Sequence, residues 1–434
     1  MNEKLTASLS PDTEAILLLC GRFGSERGEP SSANPAPLTQ KEYERLTKWL
    51  LECKLRPSDL LGGDLAARLG ELVHAGLEPA RVASLISRGT ALALALEKWQ
   101  RSGLWVLSRS DVAYPKRLKK KLGQSAPPLL YGAGDTSLLD VGGLAVVGSR
   151  NASEAALEFT RNVAHACARD GLGVISGGAK GVDVSAMQGA GEAGGIVIGV
   201  LAADLLRASV NRQNRMGIQS GQLVLTSPFN PEAGFNAGNA MARNRYIYAL
   251  ADYALVVDSA EGEGGTWAGA TEDLRHGWTP LYVRTPGESP GNTALIARGA
   301  RGFTYEISER ASIREFLEKT CQSDTSPLFR QIVQEGAATT ERPSTAPADV
   351  VVAPEPMAVA EVASPPGFDM FQDFLGKLPL LLGKEAKTDE EIRLALGLEK
   401  GQVKVWLATA VEQGFLEKRK KPVSYALPRQ QALC

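Results

Sequence analysis

From residue 144 the chain alternates short, nearly continuous apolar runs with segments of helical periodicity, and this alternation constrains the fold more than any other feature. The runs are Leu144 to Val147, Leu172 to Ser176, Ile196 to Leu201, Leu223 to Thr226, Tyr253 to Asp258 and Thr279 to Val283. Between the first two, Ala156, Phe159, Val163 and Ala166 recur on one helical face. A small-residue helix to about Ala193 and helices Asn239 to Leu250 and to about His276 follow in the same rhythm. A strand that is apolar on both faces must be covered on both faces. The expectation is therefore an α/β core, a Rossmann-like parallel sheet between helices. Ligands of such sheets sit at the carboxyl ends of the strands.

Three turns lie at those ends. Gly148-Ser149-Arg150 follows the first strand, and Asn151 with Glu154 reads as a capping box opening the next helix. A small-residue turn at a helix start presents N–H groups and a positive helix end to an anion, and arginine adds a planar fork. Ser176 and Gly177, continuing through Lys180 and Gly181 to Asp183, form a nest-like glycine run. Gly262 to Thr266 is the third. None has the GxGxxG or GxxxxGK[ST] spacing. Arg150, Lys180, Arg212, Arg243 and Arg245 are expected to converge on one end of the sheet. That makes a local basic pocket for a nucleic-acid backbone in a chain whose net charge is −1. Arg243 and Arg245 are two apart and share no helix face, so one is expected to pair with a carboxylate. Asp183 is expected to orient its loop rather than act as a base.

Other chemistry is poorly supported. The five cysteines are scattered without CxxC spacing, which points to a reducing cytoplasm, and the three histidines are far apart. No Ser/His/Asp set, metal cluster, membrane-length apolar run or signal peptide is visible. The basic cluster Lys116 to Lys121 reads as a solvated helix face, with a ligand site as the alternative because it lies close in sequence to the Gly148 turn.

The chain divides by pattern. Residues 1–104 read as a small all-α domain, beginning with an N-cap at Ser10-Pro11 and fitted to packing or partner contacts. Residues 105–321 hold the core, introduced by a short strand at Trp105 to Leu107 and an edge strand at Pro127 to Tyr131. Residues 322–366, rich in Pro and Ala, read as a linker. Residues 367–434 read as three helices and a basic hairpin, the outline of a winged helix, with a Thr388–Glu391 capping box.

At these residues the chain resembles the DNA-processing protein A family (DprA, also called Smf). Ser110 to Pro115 and Pro127 to Tyr131 are similar to its lead-in, and Val146-Val-Gly-Ser-Arg150 to its VGSR turn. Ser176 to Asp183 is similar to its SGxARGxD loop, with lysine at 180. Ala242-Arg-Asn-Arg245 resembles its RNR segment, and Gly291 to Ala300 its GxNxLIxxGA close. The resemblance implies an extended Rossmann-like core that binds single-stranded DNA, dimerises and loads the RecA recombinase in natural transformation. It implies no catalysis, cofactor or membrane, and a helical N-terminal domain of SAM-like type. By the same resemblance Gly148, Ser149 and Arg150 hold phosphate. Ser176, Gly177, Lys180, Gly181 and Asp183 shape the pocket, and Arg212, Arg243, Arg245 and Thr266 complete it. The sequence departs from the family at Met187, at Gly262 to Trp267, and at Gly238 to Ala242 ahead of RNR. An alternative is a nucleotide sensor or a phosphoribohydrolase of the lysine-decarboxylase-like (LOG) type. It rests on Gly264-Gly265-Thr266, but Glu272 stands six residues beyond the threonine.

Overall fold

The computed structural model describes residues 9–23, 35–62, 70, 72–286, 289–306 and 311–323, with parts of 374–426. The chain forms two compact units, 1–341 and 342–434. The first is built on a nine-stranded sheet: β1 (Trp105–Ser108), β2 (Leu129–Ala133), β3 (Leu144–Val147), β4 (Val174–Ser176), β5 (Val197–Val200), β6 (Leu223–Ser227), β7 (Tyr253–Val256), β8 (Leu281–Arg284) and β9 (Arg301–Phe303). The spatial order is β1-β2-β6-β5-β4-β3-β7-β8-β9. All neighbours from β6 to β9 pair in parallel, whereas β2 is antiparallel to both β1 and β6. Successive strands step away from β3 on one side as far as β6, and β7 then returns to its other flank. The carboxyl end of β3 is therefore the switch point of the sheet, where a crevice opens.

Side chains alternate across β3, so Leu144 and Val146 enter one core layer and Ala145 and Val147 the other. The first layer holds helices Glu154–Arg169, Val182–Glu192 and Ile313–Ser323, and it continues into the N-terminal helices, where the Trp99 ring meets Tyr131 edge-on at 5.2 Å. The second holds helices Lys116–Leu122, Ala237–Leu250, Gly264–His276 and Pro290–Ala297. The Ser10 cap forms as expected, its side chain accepting from Thr13 N.

Three local expectations are revised and one strand is added. Helix Glu154–Arg169 is capped by Ser153, whose Oγ accepts from Ala156 N at 3.3 Å. Asn151 instead belongs to the preceding turn, donating its N–H to Ser149 Oγ at 3.1 Å. β2 is not an edge strand: it lies between β1 and β6, because Pro127 and Pro128 precede its ladder and cost it no hydrogen bond. The Lys116–Lys121 cluster is not wholly solvated. Arg117 pairs with Asp252, and Lys121 donates to the carbonyls of Ala251 and Tyr248 at the end of helix Ala237–Leu250, where a cation is favoured. Finally, β9 carries no apolar run and was not expected.

Asp273, on helix Gly264–His276, is fully buried. Burial pushes its carboxyl up to about 7, with Lys121 pulling the other way. A carboxyl raised in the folded state holds its proton there, so its contribution to stability is complete below about pH 4 and is lost as the pH rises to about 7. Asp273→Asn is expected to flatten this decline and raise stability at pH 8 by a few kcal/mol (about 1.4 kcal/mol per pH unit of the window). Thermal melts between pH 5 and 8 check this; parallel wild-type and variant curves would contradict it.

In the second unit, helix Asp389–Leu396 opens with the expected capping box, Thr388 N donating to Glu391 Oε2 at 2.8 Å and Glu391 N to Thr388 Oγ1 at 3.3 Å. Strands β10 (Glu417–Lys420) and β11 (Val423–Ala426) form an antiparallel hairpin. Phe374, Leu378, Ile392, Val403, Leu407, Leu416 and Tyr425 make the core of this unit. Beyond Ser323 the expected linker lies outside the described residues. Among the described residues no helix is long and apolar enough to cross a membrane.

Candidate functional site

The turn after β3 is held by main-chain contacts. Ser149 N donates to Asp258 O, just after β7, at 2.9 Å, and Val182 N donates to Ser149 O at 3.3 Å. Gly148 faces Val182 so closely that a Cβ would lie 2.6 Å from Val182 Cγ2. Gly181 adopts φ +88°, and a Cβ there would strike the carbonyl oxygens of Ser149 and Arg150. These glycines let the loops after β3 and β4 interlock. Gly181→Ala is expected to cost about 1–3 kcal/mol from the backbone conformation alone. The Tm should fall and oligonucleotide binding should drop with it, whereas an unchanged melt would show that the loop adapts.

Asp183 ties the two turns from beneath. Its buried carboxylate accepts from the Gly177 N–H at 3.2 Å and from the N–H groups of Ala179 and Gly148. Burial drives this carboxyl upward, opposed by the Arg243 charge and by those donors. It is a loop organiser, out of reach of solvent. Ser176 is equally hidden, its Oγ donating to Val146 O at 2.7 Å across β4 and β3.

Two cations stand on the surface above this frame. Arg150 and Lys180 are both exposed and border an open hollow of about 500 Å³ with Asn151, Ala152, Gly181 and Ser185. Helices Glu154–Arg169 and Val182–Glu192 begin at this hollow, so two positive dipole ends add to the side-chain charges. The Arg150 guanidinium lies 5.3 Å from the centre of the Phe235 ring, which is 64% exposed. A larger hollow of about 1200 Å³ lies among the N-terminal helices, but its Arg81 and Glu42 are engaged with each other at 2.6 Å.

The Arg243-Asn244-Arg245 triplet does not project into the hollow. It braces three loops from helix Ala237–Leu250. Arg243 is buried, with Nη1 donating to Val200 O at the end of β5 at 2.7 Å and its guanidinium filling the place of a Gly177 side chain. Asn244 Nδ2 donates to Gly265 O at 2.8 Å. Arg245 faces Glu272 at 3.6 Å, the expected internal pairing, and this engages the carboxylate that the hydrolase alternative would have used. Thr266 is half-buried in the first turn of helix Gly264–His276. Arg212 lies apart from the pocket. It opens the exposed helix Arg212–Gln219, which returns the chain toward the amino end of β6, and nearby Ser209 contacts Ser102 O ahead of β1.

The match to a family model agrees with this geometry. Residues 105–313 match the model of DNA recombination-mediator protein A. The chain is 31% identical over 198 residues to DNA processing protein DprA of Streptococcus pneumoniae, covering 45% of this chain and 69% of that one. The chain belongs to the DNA recombination-mediator protein A family. It is also 30% identical over 226 residues to Protein Smf of Synechocystis, covering 50% of this chain and so spanning 56%, little more than half, of that relative's length. The solved DprA structure from Streptococcus pneumoniae superposes with a TM-score of 0.50 at 23% identity, covering 62% of this chain and 90% of that one, a likeness of fold.

Within this DNA recombination-mediator protein A fold, the departures at Trp267 and Met187 lie largely beneath the surface, whereas Gly262 to Gly264, Gly238 and Met241 are exposed. Trp267 is buried, with the Arg298 guanidinium 4.6 Å from its ring centre. Met187 is partly buried and packs toward Gly199 of β5. The sequence reading missed Phe235 and Asn244. A lone phenylalanine in a loop carries no periodic signal, and Asn244 was passed over between two charges.

Proposed function

We propose that this protein binds single-stranded DNA at the hollow between Arg150 and Lys180 and hands it to a RecA-type recombinase, acting as a homodimer in DNA uptake and recombination. The observation that carries this reading is the pairing of two exposed cations with two helix starts at the switch point of the sheet. That arrangement suits a chain of phosphates. The names of the relatives, DNA processing protein and recombination mediator, support the same reading. The hairpin and helix of the C-terminal unit are assigned as a winged helix, an accessory module for DNA or partner contacts.

The test is fluorescence anisotropy of the full chain with labelled single-stranded and duplex oligonucleotides over a range of salt. Single-strand binding with an affinity that falls linearly on a log–log salt plot is expected, at about 0.7 per phosphate contact. No binding at about 50 mM salt would overturn the reading.

A further inference from the structure

Residues 205–231 contain no Asp or Glu but three arginines, Arg207, Arg212 and Arg215. All three are exposed, and none has an ion-pair partner among the described residues. They sit on two consecutive helices, Leu205–Val210 and Arg212–Gln219. In the second helix Gly217 and the partly buried Ile218 turn inward to β6. Arg212 and Arg215, three apart, are neighbours on the outward face. Asn211, Gln213, Gln219 and Ser220 surround them with exposed neutral hydrogen-bonding groups. In a chain of net charge −1 this is an unneutralised cationic face.

The loop 231–236 links this face to the hollow. Arg150 contacts Phe235, and Gly234, Phe235 and Asn236 are all exposed. Ala233 O accepts from Asp204 N at 2.8 Å, and Pro231 O accepts from Leu206 N at 2.9 Å, which fixes this loop to the start of the first arginine-bearing helix. Of the carboxylates described beside this path, Glu232 is bound to Lys98, and Asp204 stands exposed at the start of the first arginine-bearing helix.

We infer that the single strand held at Arg150 and Lys180 continues across the 231–236 loop onto Arg207, Arg212 and Arg215, which form a second phosphate-contacting surface. This rests on the single-stranded DNA reading and lengthens its footprint. Guanidinium groups set among Asn and Gln side chains suit the phosphates and sugars of a flexible strand.

The test compares oligothymidines of about six and about twenty nucleotides, lengths spanning one short site and an extended one. The full chain is compared with an Arg207→Gln/Arg212→Gln/Arg215→Gln variant, with its thermal melt as a check on folding. The variant is expected to bind the short oligonucleotide as the wild type does. It should bind the long one about tenfold more weakly at about 0.1 M salt, with a salt slope smaller by about 2, since three contacts contribute about 0.7 each. A wild-type slope on the long oligonucleotide overturns the inference and leaves this face to an acidic protein partner. If the wild type binds neither length, the single-stranded DNA reading itself fails. If only the short-oligonucleotide affinity falls, the arginines belong to the primary site and the extension is wrong.

Discussion

Replacing Arg150 and Lys180 together by alanine is expected to weaken single-stranded oligonucleotide binding by about 100-fold at about 0.1 M salt, two charge-assisted contacts at about 1.5 kcal/mol each. The loss should be nearly independent of base sequence, because phosphate contacts carry no sequence information. The salt slope should shrink by about 1.4, two contacts at about 0.7 each. Both side chains are exposed, and neither has an ion-pair partner among the described residues, so the thermal melt should not move. Binding measured across a salt series separates this from a folding defect. A variant that keeps the wild-type slope would remove these residues from the interface, whatever its affinity.

The second large effect is one of stability. Arg243→Ala is expected to cost about 3–5 kcal/mol, the range for breaking one side of a buried charge arrangement. Three losses combine. Val200 O loses its donor, the space beneath Gly177 empties, and the Asp183 carboxylate loses the cation that opposes its burial. For a unit of this size the Tm should fall by about 10 °C. Binding should fall as well, since the Gly177 loop rests on the guanidinium. Asp183→Asn combined with Arg243→Ala should cost less than the sum of the two single changes, because the pair shares one electrostatic interaction. Strict additivity in that cycle would show that the two groups act independently.

Much of the α/β core was legible because strands buried on both faces leave uninterrupted apolar runs, and Leu144 to Val147 or Tyr253 to Val256 have no other use in a folded chain. What escaped was decided by short-range competition. Asn151 and Ser153 are both good caps, two residues apart, and only the path of the turn after β3 selects Ser153. The prolines before β2 suggested an edge, yet an antiparallel insertion places the strand inside without exposing them to the ladder. At the site, spacing alone separated Arg243 from Arg245 but not which loop each would hold. Arg212 was drawn toward the pocket by its charge. The sheet instead carries it along the helix that leads back to β6, a displacement that no local pattern records.

The brace formed by Arg243-Asn244-Arg245 has a consequence for how such a protein can be altered. Asn244 grips the third loop through the Gly265 carbonyl, a main-chain group that every residue type supplies. The tip of that loop, residues 261–264, is exposed and is not part of the anchor. The scaffold therefore works as a fixed socket with an interchangeable insert. Glu261 and Glu263 of the tip can be exchanged without disturbing its seat, whereas Gly262 and Gly264, at φ +74° and +80°, and the socket, with Arg243 filling the space above which only glycine fits at 177, tolerate little rewriting.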